Sequence, residues 1–192
     1  MKFFAVFFYF FLLVNVFAQP SEKVVQYIKN HSHFAIIEMY RYKIPASVTM
    51  AQAIIESAAG TSDLAQQANN HFGIKCHADW EGMNYIKDDE EHTECFRKYL
   101  SVEESFRDHS LFIVSRPRYN ELFNLPIYDY KAWCNGLKEC GYATQKDYPE
   151  KLINIIEKYQ LYKLDHLWIY DDEKEAISIL EMELKTMYPT KG

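Results

Sequence analysis

The sequence predicts a mainly α, α+β fold, in which one helical domain carries a small β-lobe. Three observations predict it. Apolar residues recur near the 3.6-residue period of a helix on both sides of the middle of the chain. That period is lost from Phe72 to Tyr99, where short strand candidates surround the turn signal Trp80-Glu81-Gly82. Between these regions, the apolar run MAQAII ends on one glutamate, Glu56, followed by Ser57-Ala58-Ala59-Gly60.

The elements follow in order. Ser21 to Tyr42 reads as a helix with Val24, Val25, Ile28, Ala35, Ile36 and Met39 on one stripe, weakened in its middle by Asn30 to His33. Pro45 opens the next helix at a favoured first-turn position, and Gly60 ends it. Thr61 or Ser62 caps a short helix reaching Ala68. Ile74 to Cys76, Asn84 to Lys87 and Cys95 to Tyr99 are the strand candidates. Ser101-Val102-Glu103-Glu104 is a capping box opening a helix that buries Phe106, His109 and Ile113, and Pro117 stops it. Tyr128 to Lys138 is a helix with Trp133 and Leu137 inward. Tyr148 to Tyr159 is another, with Leu152, Ile155, Ile156 and Tyr159 on one face. Asp165 to Gly192 reads as an acidic C-terminal extension with an amphipathic piece around Ile177 to Leu184, and it either docks on the domain or remains loose.

Residues 1–18 read as a signal peptide: Lys2, the apolar run Phe3 to Phe17, and the cleavage-site pattern Val16-Phe17-Ala18. The run is shorter than the roughly 20 apolar residues a spanning helix needs, so no stable membrane insertion is expected after cleavage. The expected location is therefore the periplasm or the exterior. About 174 residues would remain, enough for one domain with a core of its own. The net charge of −6 argues against nucleic acid as a partner. It also gives no Coulombic attraction to an anionic cell wall, so such a surface would be held by stacking and hydrogen bonds.

Export permits disulfides among Cys76, Cys95, Cys134 and Cys140. Cys76 and Cys95 bracket the β-lobe, and their bond would tie its base. Cys134 and Cys140 would lie about 9 Å apart on an unbroken helix, beyond the roughly 7 Å limit for a bridge. That bond requires the helix to end near Gly136 to Glu139; two free thiols are the alternative.

Glu56 is the central candidate for chemistry. Apolar neighbours disfavour an ionised carboxyl and raise its pKa, toward about 6 in well-tuned sites. Such an acid can protonate a glycosidic oxygen near neutral pH. The ordinary alternative is a solvated glutamate, against which stand the apolar run before Glu56 and the small residues after it. A second carboxylate would face it from the β-lobe, where Asp88, Asp89, Glu90, Glu91 and Glu94 are available. The histidines lack the spacing of a zinc site, and no cysteine has the setting of a nucleophile. No metal or cofactor is expected.

With these residues in view, the chain resembles the glucosaminidase family of peptidoglycan hydrolases, glycoside hydrolase family 73. Its members include flagellar rod-associated wall hydrolases and autolysins. The resemblance covers roughly Tyr27 to Leu164 and rests on IPASVTMAQAIIESAAGTSDLA, NNHFGIKCHADWEG, ECFRKYLSVEESFRDHS, RYNELF and GYAT followed by Tyr148. It implies a lysozyme-like helical domain over 21–164 with a small β-lobe and an active-site cleft between the lobes, with Glu56 as catalytic acid and Tyr142, the GYAT tyrosine, near the reaction centre. The family's second acid lies in a W-x-G…T-x-E stretch from which this chain departs. Asp89 answers to it by distance from Gly82, and Glu94 by its Thr-Glu dipeptide. Gln145 stands after GYAT, where relatives commonly carry an acid or Asn. Phe72, Trp80, Asn70, Tyr119 and Tyr148 are the implied substrate-binding residues.

The implied activity is endo-β-N-acetylglucosaminidase action on the β-1,4 bond after N-acetylglucosamine in peptidoglycan strands, by a monomer. The rivals are a muramidase or lytic transglycosylase on the same fold, an endoglycosidase of the N-glycan chitobiose core, and a non-catalytic wall-binding or scaffold protein.

Overall fold

A computed structural model describes residues 20–78, 80–88 and 93–189, and among these the chain forms eight α-helices and one two-stranded antiparallel sheet. The signal-peptide reading and Asp89 fall outside the described residues.

Helix α1 (Glu22–Tyr42) runs unbroken through the stretch expected to weaken it. Tyr27, Ile28, Ala35, Ile36 and Met39 bury one face of it, and that packing outweighs the poor local propensity. Lys43 ends it in a left-handed conformation. Helix α2 (Ala46–Glu56) starts just after Pro45, which caps the helix from outside rather than sitting in its first turn. Every residue from Ala46 to Ile54 is buried. An apolar face all the way round suits a helix that others surround, and α2 packs on α1, α5, α6 and α7. This is the axis of the core, and Glu56 is its last residue.

Ser62 caps α3 (Asp63–Ala68) by accepting a bond from the Ala65 N–H at 3.2 Å. The β-lobe is the hairpin of β1 (Asn84–Asp88) and β2 (Thr93–Arg97), with Ile86 opposite Cys95. The third expected strand is only a single bridge, Lys75 to Phe96. β2 also ends two residues early, because the Tyr99 N–H turns away to Ala68 O at 2.9 Å. The Cys76–Cys95 disulfide closes the lobe's base with a Cα separation of 5.3 Å.

Ser101 caps α4 (Val102–Val114), and Glu104 reaches back to the Leu100 N–H at 2.8 Å. Pro117 opens a 3₁₀ stretch to Asn124. α5 (Tyr130–Glu139) begins two residues later than expected, because Asp129 supplies the cap through the Ala132 N–H at 3.0 Å. It stays helical to Glu139, so Cys134 and Cys140 are both free thiols and the second pairing is not made.

α6 (Tyr148–Lys158), α7 (Tyr162–Asp165) and α8 (Glu173–Met187) complete the chain. The expected boundary at 164/165 cuts through packed structure. Asp165 is 1% exposed and accepts bonds from the Ser47 N–H at 2.8 Å and the Ser47 hydroxyl at 2.6 Å, at the start of α2. Ala176, Leu180, Leu184 and Met187 of α8 are buried, and the helix lies against α1. Residues 165–189 therefore pack on the helical domain, the docked one of the two expected arrangements.

Candidate active site

The chain leaves α2 through an unusual turn. Ala58, Ala59 and Gly60 all have positive φ, at 51°, 54° and 77°. Left-handed backbone at two alanines in succession is costly, and the local bonds oppose that cost. The Ala59 N–H reaches Ile54 O at 2.8 Å, and the Ser57 hydroxyl donates to Ala53 O while accepting from the Gly60 N–H. A Cβ at Gly60 would stand 3.0 Å from the Tyr27 ring, so glycine is needed for space as well as for φ. The turn carries the chain sharply away from Glu56 and leaves its carboxyl at the wall of a cleft of about 400 Å³.

Ile55, Phe72 to Lys75, His77, Phe112, Tyr142 to Gln145 and Tyr148 line the rest of that cleft. They come from five places in the sequence: the end of α2, the loop before the β-lobe, α4, the loop between α5 and α6, and the start of α6. The Tyr148 hydroxyl donates to Glu56 Oε1 at 3.0 Å and accepts from Gln52 Nε2 at 3.2 Å. Glu56 is half-buried, and that burial raises its pKa from the ordinary glutamate value, while the Tyr148 bond opposes the rise. The Tyr142 ring stacks on Tyr148 with centroids 5.8 Å apart. Burial, and then the nearby Tyr148 and Glu56, push the Tyr142 phenol well up, so it is a neutral hydrogen-bonding group.

Phe72 is 5% exposed and serves as both core and cleft wall. Its ring stacks at 4.0 Å on His109, which is fully buried beneath it. Burial lowers the His109 pKa to about 3, so the imidazole there is neutral.

Three expected binding residues do not face the cleft. Asn70 is fully buried, and its amide holds Ile74 O at 2.9 Å, Arg97 O at 2.8 Å and the Ile74 N–H at 3.1 Å. It splices the loop to the β-lobe and has no surface for a sugar. Tyr119 is also fully buried, with its hydroxyl accepting from Arg118 Nη2 at 2.7 Å. It supports Tyr142 from behind, at 6.5 Å between centroids. The Arg97 guanidinium lies 4.6 Å from the Trp80 ring, and the Trp80 indole N–H goes to Met83 O, so one face of that ring is occupied.

Of the two β-lobe acids, Glu94 is described. Its Oε2 lies 2.9 Å from Lys75 Nζ, and Lys75 lines the cleft. Glu94 thus reaches the rim through a lysine. Sequence reasoning passed over Gln52, Lys75 and Phe112. Gln52 carried a signal, since it lies one helical turn before Glu56. Phe112 carried none, because a helix facing a cleft and a helix facing a core share one periodicity. Among the described residues, no group of three or more His, Cys, Asp or Glu is placed to hold a metal, and no helix is long and apolar enough to cross a membrane.

The family model described as mannosyl-glycoprotein endo-beta-N-acetylglucosaminidase matches residues 32–161. The chain is 35% identical to exo-glucosaminidase LytG of Bacillus subtilis (strain 168), over 73% of this chain and 53% of that one. It is 27% identical to peptidoglycan hydrolase FlgJ of Vibrio cholerae, over 72% of this chain and 47% of that one. The chain spans about half the length of these relatives. In fold it is similar to the glycoside hydrolase domain of Salmonella typhimurium FlgJ, with a TM-score of 0.63 at 23% identity, covering 83% of this chain and 96% of that domain. That likeness places the helices and hairpin in a lysozyme-like fold.

Proposed function

The chain belongs to the glucosaminidase family of glycoside hydrolases, and we propose that it is an exported endo-β-N-acetylglucosaminidase. It hydrolyses the β-1,4 bond on the reducing side of N-acetylglucosamine in peptidoglycan strands. The observation that carries this reading is the Glu56 carboxyl. It is half-buried at the end of an apolar helix, raised in pKa, and held by the Tyr148 hydroxyl on the wall of an open cleft.

Glu56 acts as general acid, giving its proton to the glycosidic oxygen as the bond breaks, a role worth about 10²–10⁴-fold in rate. Burial favours the protonated form of the acid, and the Tyr148 hydroxyl engages one of its two oxygens. With Oε1 accepting the Tyr148 bond, Oε2 is the oxygen left to hold the proton toward the cleft. Tyr142 orients the substrate's acetamido group. Either a β-lobe carboxylate, Asp89 or Glu94, steers water and stabilises the oxocarbenium-like centre, or the substrate's own acetamido oxygen attacks the anomeric carbon. Residues 1–18 direct export and are then removed. Muramidase or transglycosylase chemistry, the N-glycan core and a purely binding role are the readings this one displaces.

A second reading is favoured by the 35% identity to a protein named an exo-glucosaminidase, namely the same chemistry begun at strand ends. Mass spectrometry of borohydride-reduced products from purified peptidoglycan tests both. Reduced GlcNAc ends on long fragments support the endo reading, and short fragments alone support attack from the ends. Reduced MurNAc or anhydro ends sink both. Parallel loss of products in Glu56→Gln ties the reaction to that carboxyl.

A further inference from the structure

At the far end of α5 and α6 from the cleft lies a second aromatic surface. α5 runs from Asp129 toward the cleft loop, and α6 returns from Tyr148 to Tyr159. At about 1.5 Å per residue these helices separate the two surfaces by on the order of 15 Å. Four rings follow one another there. Tyr130 stacks on Tyr162 at 6.3 Å with planes 20° apart, Tyr162 meets His166 at 6.4 Å, and His166 meets Tyr128 at 6.2 Å. Tyr128 is 47% exposed, and His166 is exposed with it.

Tyr128 and His166 wall a depression of about 370 Å³, and Tyr162 and His166 wall an adjoining one of about 290 Å³; the two share His166 and Ile169, and Tyr130 lies outside both. Lys163 and Glu183 stand at the second, and Lys163 makes no ion pair within 4.0 Å among the described residues.

Those features suit a particular occupant. The rings are tilted against one another, by 59° and 69° at His166, so the surface is stepped and not a flat apolar face. Pyranose rings pack their C–H faces on such aromatic walls and leave their hydroxyls free for hydrogen bonds at the rim. Two like depressions side by side suit adjacent units of one polymer. Lys163, which makes no ion pair within 4.0 Å among the described residues, complements carboxylates carried by a wall polymer, and Glu183 in the same depression can accept from sugar hydroxyls. A membrane surface would call for an aliphatic patch and several free cations, and the surface offers one exposed aliphatic side chain, Ile169.

We infer that this surface is a second carbohydrate-binding site, which holds an amino-sugar glycan strand of the wall polymer outside the cleft. The inference rests on the proposed function, since the strand is the substrate of that reading. Its role is to keep an acidic protein on an insoluble anionic polymer by stacking and hydrogen bonds.

The test uses the full chain and purified sacculi. In a Glu56→Gln background, which leaves the polymer intact, co-sedimentation is compared with and without the double change Tyr128→Ala, His166→Ala. Both positions are exposed, so the fold is expected to persist, and the unfolding temperature checks it. In the Glu56 background the same pair is assayed on short soluble glycan fragments. Losing two ring contacts should weaken sacculus binding by about thirtyfold, equivalent to about 2 kcal/mol. Turnover of soluble fragments should stay within about twofold, since neither residue lines the cleft.

Unchanged sacculus binding with normal soluble turnover overturns the second site and leaves the enzyme reading intact. Equal losses of soluble turnover and sacculus binding also overturn it. A wild-type dimer in sedimentation that the double variant abolishes would assign the surface to a second copy of the chain. No turnover and no sacculus binding by wild type removes the enzyme reading, and the second site with it.

Discussion

The hydroxyl of Tyr148, the first residue of α6, donates to Glu56, the last residue of α2, at 3.0 Å. Gln52, one turn earlier on α2, donates to the same hydroxyl at 3.2 Å. The relay uses the tyrosine hydrogen for the carboxyl and its lone pair for the amide. Burial and this bond act on Glu56 in opposite directions: burial favours the protonated form, and Tyr148 favours the charged one.

Removing that donor should therefore shift the pH profile in a definite direction. Activity needs the protonated acid and is lost as pH rises through the Glu56 pKa. Tyr148→Phe withdraws a bond from the charged form, so the pKa rises further and the basic limb of kcat/KM moves to higher pH. A fall of about tenfold in kcat is expected beside it. A basic limb that stayed in place or moved to lower pH would show that Glu56 is not the group titrating there.

Glu56→Gln keeps the size of the side chain and removes the transferable proton. Turnover should fall by about 10²–10⁴-fold, while the far-UV spectrum and glycan binding persist. Near-normal turnover would refute the assignment.

Asp165 should make stability depend on pH. Burial raises its pKa from 3.8 to about 7, against the pull of the Ser47 donors. A carboxyl whose folded pKa is raised stabilises the fold fully below its unfolded pKa and loses that contribution as pH rises through the folded value. Its share of the stability should fall between about pH 4 and pH 7. Asp165→Asn can still bond to Ser47, with its carbonyl to the N–H and its amide to the hydroxyl. Urea midpoints across that range should decline less in the variant than in wild type. Parallel slopes would remove Asp165 from the account.

The thiols give a direct chemical count. Unreduced protein, unfolded in denaturant, should take up two equivalents of iodoacetamide, at Cys134 and Cys140. Cys76→Ser with Cys95→Ser, which opens a link across a sequence separation of 19, should cost about 3 kcal/mol in a urea melt. No alkylation of the unreduced protein would mean that the second pair also bridges.

Helix α8 should be part of the cooperative fold. Leu180, 3% exposed, lies on its buried face. Leu180→Ala should cost about 2–5 kcal/mol. A change under about half a kcal/mol would mean the helix adds little to the domain.

Much of this architecture was legible in the chain because it is local. A run such as MAQAII has one way to hide its side chains, Ser101 announces its cap, Thr61 or Ser62 announces another, and the lost period after Phe72 marks the hairpin. Glu56 stood out because it closes the most apolar helix. What the sequence left open depends on contacts between distant segments. Whether Cys134 meets Cys140 turned on α5 staying helical through Glu139, and whether the acidic C-terminal stretch docks turned on the face α1 offers to α8. The polar residues Asn70 and Tyr119 read equally well as binding groups or as buried braces, because residue type does not encode which way a side chain points in the assembled fold. Only the tertiary structure brought Tyr148 to Glu56 across 92 residues, and it alone set Asp165 against the start of α2, 118 residues from its partner Ser47. Helices and turns are decided by neighbours in the chain. A site is decided by how those pieces bury one another, and that is settled only when the whole core closes.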